Sequence, residues 1–143
     1  MIRHNTCIGI FAAVFALSVP SLALAADVPG KARVIFQVSD ADPAKWNLAL
    51  NNIKNVQTDL GAANTEVEIV AYGPGIGMLK ADAVIANRVI DAMAQGVKVV
   101  ACENTMTNQK IKREDMIDKI TYVKAGVVEL MQKQREGWAY IRP

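Results

Sequence analysis

Three times in this chain an amphipathic helical pattern stops at a glycine and a short β-branched or aromatic run follows. Residues 43–60 end at Gly61 ahead of 66–72, residues 82–95 at Gly96 ahead of 97–102, and residues 125–136 at Gly137 ahead of 138–141. Two more runs, 33–38 and 120–123, complete a set of five. Strands joined through helices cannot form tight hairpins, and the compact solution is a parallel sheet with right-handed crossovers. The pattern therefore predicts a single α/β domain.

Local signals support each helix. In 43–60, Trp46, Ala49, Leu50, Ile53, Val56 and Leu60 share one stripe, with Asp42 as N-cap and Pro43 at the first helical position. In 82–95, Asp82 opens the helix and Ile85, Val89, Ala92 and Met93 form its apolar face. In 125–136 the face is Val127, Val128, Leu130 and Met131, and Lys133 and Arg135 sit in the last turn, where cations suit the helix dipole. The polar stretch 104–119 reads as a short helix near Thr105–Lys110 and then a loop. Five strands with helices on both faces suggest a flavodoxin-like, doubly wound sheet of order 2-1-3-4-5. The clean alternation of Glu66–Tyr72 suggests that the second strand lies at an edge.

Residues 1–25 read as an address. A basic start at Arg3, an apolar run from Thr6 to Val19, Pro20, and Ala23-Leu24-Ala25 describe a Sec-type signal peptide cleaved after Ala25. A spanning helix needs about 20 apolar residues, and Pro20 ends this run too early. The expectation is a periplasmic or secreted domain of residues 26–143 with no membrane association after cleavage. With 16 Lys+Arg against 14 Asp+Glu, the chain lacks the basic excess of a nucleic-acid binder.

Processing also removes chemistry. The one histidine is His4 and one of two cysteines is Cys7, so residues 26–143 hold no histidine and a single thiol, Cys102. That excludes Ser-His-Asp and Cys-His catalysis and an internal disulfide, and it leaves no metal set and no cofactor motif. Cys102 ends the third run. Ligands of open α/β sheets bind beyond the carboxyl ends of the strands where the order reverses. In the order 2-1-3-4-5 that point joins Ser39 and Asp40 to Cys102, Glu103, Asn104 and Thr105. Free N–H groups of a helix starting there favour a thiolate, whereas Asp40 and Glu103 disfavour it. Burial is the alternative, because cysteine is among the most often buried residues.

A second candidate is the Tyr72–Met78 loop, in which Gly73, Gly75 and Gly77 could form an anion nest or simply a tight connection. It lacks the dinucleotide spacing. The cluster Lys110, Lys112, Arg113 is answered by Glu114, Asp115 and Asp118 and reads as a solvated face.

Several segments resemble exported members of the DsrE/DsrF-like family. They are Lys31–Val38, the Val70–Gly75 loop, Val99–Met106, Tyr122–Leu130 and above all Gln134–Pro143. The resemblance implies a flavodoxin-like fold and homo-oligomers, trimers or hexamers. It also implies a persulfide carried on a cysteine just after the third strand, a position that Cys102 matches, in a relay with sulfur donor and acceptor proteins. Two functions follow as expectations: a sulfur carrier or sulfurtransferase-like relay using Cys102, or a non-catalytic ligand-binding or assembly module. An intermolecular Cys102 disulfide would make a redox sensor instead.

Overall fold

The computed structural model describes residues 30–143. The leader expected over 1–25, with its cleavage point before Ala26, lies outside the described residues. The strands are β1 (Ala32–Val38), β2 (Thr65–Ala71), β3 (Lys98–Cys102), β4 (Thr121–Val123) and β5 (Ala139–Ile141). The helices are α1 (Pro43–Leu60), α2 (Ala86–Ala94), α3 (Glu103–Gln109) and α4 (Gly126–Arg135).

Short-range chemistry sets the helix ends. Asp42 Oδ1 accepts the Ala44 N–H at 2.8 Å, Pro43 opens α1, and Gly61 closes it at φ +84°. Trp46, Ala49, Leu50 and Ile53 are the buried stripe of α1. The second helix differs from expectation. It starts at Ala86 with Ile85 as cap, because a 3-10 segment over Gly73–Leu79 and a turn consume the residues around Asp82.

All four strand pairs are parallel, so the doubly wound α/β architecture stands. The strand order, however, is β4-β3-β2-β1-β5 and not 2-1-3-4-5. Strands β1 and β3 are not neighbours, and β2 lies at the centre of the sheet instead of its edge. The alternation in β2 misleads because Glu68, its mid-strand polar residue, is fully buried and bonded to Lys98 Nζ at 3.0 Å. The true edges are the three-residue β4 and β5, short enough to discourage pairing with other chains.

Each sheet face has its own cover. On one, Val34, Phe36, Val67, Ile69, Val99 and Ala101 pack with α1, α2, Met106 and Ile117. On the other, Ile35, Val70 and Val100 lie under Leu130 of α4. The β1→β2→β3→β4 steps all move one way across the sheet, so right-handed crossovers stack their connections on the first face. The return from β4 to β5 runs the opposite way and puts α4 on the second. The reversal at the carboxyl ends therefore falls between β3 and β4.

Candidate functional site

Cys102 closes β3 and pairs in register with Val123 of β4, so its sulfur stands in the crevice where the connections diverge. The topology places it at a switch point, although with a different neighbour strand from the one expected. From β3 the chain turns directly into α3 toward the first face. From β4 it turns through Lys124 and Ala125 into α4 on the second. The starts of both helices thus face the sulfur.

Polar groups at both helix starts offset the burial of the sulfur. Burial works against the Cys102 thiolate, but the Thr105 hydroxyl and the N–H groups of Gly126, Thr105 and Asn104 hold the thiol below its ordinary range. Asn104 N–H also bonds Lys124 O at 3.1 Å, and the sulfur lies 3.9 Å from that same carbonyl. The neutral thiol offers only a weak S–H bond to Lys124 O, and the polar groups at the two helix starts favour the anion. The geometry favours thiolate. Access is narrow, with Cys102 only 5% exposed.

Gly73 joins this cluster from the β2 loop. Its N–H donates to Thr105 Oγ1 at 2.9 Å, and its carbonyl accepts from Gln109 Nε2 at 3.1 Å. Thr105 thereby ties the β2 loop to the helix start beside the sulfur. Cys102, Asn104, Thr105 and Gly73 are therefore brought together.

The other sequence candidates are not. Ser39 Oγ accepts from Gln37 Nε2 at 3.1 Å. Asp40 is paired with Lys45 at 3.1 Å and Arg142 at 3.3 Å, which pins the C-terminal tail to the end of β1. The hydrogen bond from Lys45 holds its carboxyl below the usual range, against weak desolvation and with help from Arg142. β2 separates Asp40, just beyond the end of β1, from Cys102 at the end of β3. Glu103 is paired with Arg113 at 2.6 Å. The expected carboxylate opposition is not among the leading influences on the thiol. Gly75 and Gly77 are packing positions: a Cβ on Gly75 would lie 2.4 Å from Val38 O, and one on Gly77 would touch the Trp46 ring at 3.4 Å.

Sequence reasoning missed Gly126. A Cβ there would come within 3.0 Å of Val70 Cγ1 and 3.3 Å of Tyr72 Cβ, so the absent side chain lets α4 approach β2 and bring its N–H to the sulfur. A glycine in the first turn of a helix, right after its cap Ala125, is the signal that could have found it. Nearby open space is modest. A cleft of about 420 Å³ beside α3 is lined by Glu103, Met106 and Arg113. A larger one, about 870 Å³, lies along α2 and the amino end of β3 and contains none of the candidate residues. Among the described residues no group of three or more His, Cys, Asp or Glu could hold a metal ion.

This frame has known counterparts. The family model described as "DsrE/DsrF-like family" matches residues 32–143, most of the chain. The chain belongs to the DsrE/DsrF-like family. A solved protein of unknown function, MTH1491 from Methanobacterium thermoautotrophicum, is similar at 33% identity and a TM-score of 0.75, with 79% of this chain and 100% of that chain covered. Two more distant structures share the fold. BT1422 from Bacteroides thetaiotaomicron, a conserved protein of unknown function, has 11% identity and a TM-score of 0.64, covering 78% and 94%. The ychN protein from E. coli has 15% identity and a TM-score of 0.60, covering 80% and 99%. No curated protein matches the chain. The family carries the fold; the reaction has to be argued from the site.

Proposed function

We propose that this DsrE/DsrF-like protein is an exported sulfur carrier that holds sulfane sulfur as a persulfide on Cys102. The observation that carries this reading is the position of Cys102 at the β3–β4 switch point, where the starts of α3 and α4 converge on its sulfur and offset the cost of burying its anion. The step is a displacement. The Cys102 thiolate attacks the outer sulfur of a donor persulfide R–S–SH; a new S–S bond forms, the donor's S–S bond breaks, and its electron pair leaves on R–S⁻. An acceptor thiolate then attacks the outer sulfur of Cys102–S–SH and returns the Cys102 thiolate. No oxidant is consumed. The same helix starts suit each anionic state, and the narrow opening shields the persulfide from bulk reductants. A donor or acceptor protein has to present its thiol at the β3–β4 crevice.

Incubation of the folded protein with a small persulfide donor should add about 32 Da per persulfide, and Cys102→Ser should abolish the adduct. A native protein whose thiol stays unmodified under these conditions overturns the reading.

The second function, a non-catalytic assembly module, is favoured by one observation. Val127, Val128 and Met131 form an exposed apolar stripe on α4, beside the helix start that faces Cys102. We infer that a second copy covers it in a homo-oligomer, a trimer or hexamer by family resemblance. Val128→Asp should then convert the oligomer seen by light scattering to monomer while far-UV circular dichroism stays native. A monomeric wild type at micromolar concentration refutes the assembly.

A further inference from the structure

The second sheet face carries ionisable groups that the sulfur chemistry does not use. Glu68, on central β2, is 1% exposed, and its Oε2 meets Lys98 Nζ at 3.0 Å. The same Nζ lies 3.7 Å from Oε1 of Glu129, a residue of α4 that is 13% exposed. Two sheltered carboxyl groups therefore converge on one ammonium group that is itself half in solvent. The remaining oxygen of Glu68, Oε1, is buried and has no donor.

An orphaned acceptor in that position needs an explanation. Because both carboxyl groups stand within 4 Å of the same Lys98 Nζ, they are close neighbours of one another. Two ionised carboxylates in contact repel, whereas one proton between them turns the orphan into a hydrogen bond. We propose that Glu68 and Glu129 share a single proton beneath α4, forming a carboxyl–carboxylate pair, held by Lys98, that fastens α4 to the sheet only while the proton is present.

The charged and polar neighbours come from several elements, and Lys31 and the buried, unpartnered Trp138 Nε1 line the same hollow as Glu68. From β3, Lys98 is the one cation bonded to the pair. From α4, Lys133 is drawn to both carboxylates but is bonded to Glu136 at 3.2 Å. From β1, Arg33 spends its guanidinium on Glu136 O at 2.7 Å. Glu66, on Glu68's own strand, adds negative charge. Burial pushes the Glu68 carboxyl up; Lys98 opposes this without offsetting it, and Glu129 adds to it. A shared proton belongs to both residues.

The sign of the pH effect follows. Between the ordinary glutamate value of 4.5 and the raised value of Glu68, the native protein holds a proton that the unfolded chain has released. Stability is therefore gained as pH falls through this window and lost as pH rises through it, by up to about tenfold in the opening equilibrium per pH unit. The loss concentrates in α4, whose first N–H faces Cys102. The fastener itself needs no reactive sulfur.

The test combines two measurements on the full domain. Carbon-detected titration should show a Glu68–Glu129 step above the ordinary range. Hydrogen-exchange protection factors of the α4 amides should fall as pH rises through that step in the wild type and stay level in Glu68→Gln, which carries a permanent donor in place of the proton. Glu129→Gln, at the less buried site, gives the same flat profile should Glu68→Gln not fold. Ordinary titration of both carboxyls, or α4 protection that follows the wild-type profile in both variants, overturns the shared proton. Persulfide loading of Cys102 is scored separately, so failure of one leaves the other standing.

Discussion

Gly75→Ala is expected to destabilise the domain by about 3 kcal/mol, roughly a hundredfold in the folding equilibrium. The cause is steric and lies in the backbone. An added Cβ would stand 2.4 Å from Val38 O, 2.6 Å from Val38 C and 2.8 Å from Ser39 Cα. No rotamer relieves such a contact, so the end of β1 or the Gly73–Leu79 segment has to move. Both are tied down, since Tyr72 N–H donates to Val38 O at 3.1 Å and Gly73 is bonded to α3 from both its N–H and its carbonyl. The loss should appear as a lower denaturant midpoint with an unchanged slope. Gly77→Ala is the control, because its Cβ would meet only the edge of the Trp46 ring at 3.4 Å. That variant should stay within about 1 kcal/mol of wild type. Equal midpoints for the two variants would refute the close approach.

Thr105→Val should raise the Cys102 thiol toward its ordinary range and slow its alkylation at neutral pH several-fold. Valine keeps the shape of threonine and removes the hydroxyl. The sulfur then loses the side-chain donor that, after burial, ranks first among the influences on its acidity, and Gly73 N–H loses its acceptor. The second loss predicts a moderate fall in stability, about 1–2 kcal/mol for an unsatisfied, part-buried donor. Thr105→Ser retains the hydroxyl and should recover both properties in large part. The decisive readout is the pH profile of thiol alkylation, which a purely structural threonine would leave in place. An unshifted profile in Thr105→Val removes the hydroxyl from the site.

Much of the fold was legible because its signals are local. Asp42, Pro43 and Gly61 mark the ends of α1 through contacts within four residues, and those limits agree with the structure. Gly96 and Gly137 read correctly as stops, both at positive φ. The α2 start did not, because Asp82 looks like a cap only when the preceding 3-10 segment is unknown. Strand order also escaped the sequence. Glu66 and Glu68 look alike in the chain, yet Glu66 is exposed and Glu68 is buried against Lys98, a partner thirty residues away. A charge at a core position reads as a surface residue until its partner is known.

The amino-acid sequence alone determined that the strands are parallel, that helices separate them, and that one thiol closes the third strand. These follow from periodicity, helix-ending glycines and composition, which act over a few residues at a time. Only the tertiary structure decided that β2 lies between β1 and β3, which takes Ser39 and Asp40 away from the sulfur and gives it the starts of α3 and α4. The physical reason is that crossover direction and the pairing of buried charges depend on contacts between distant segments. Gly126 carries no reactive group, and its value at the sulfur comes from how near α4 can lie to β2.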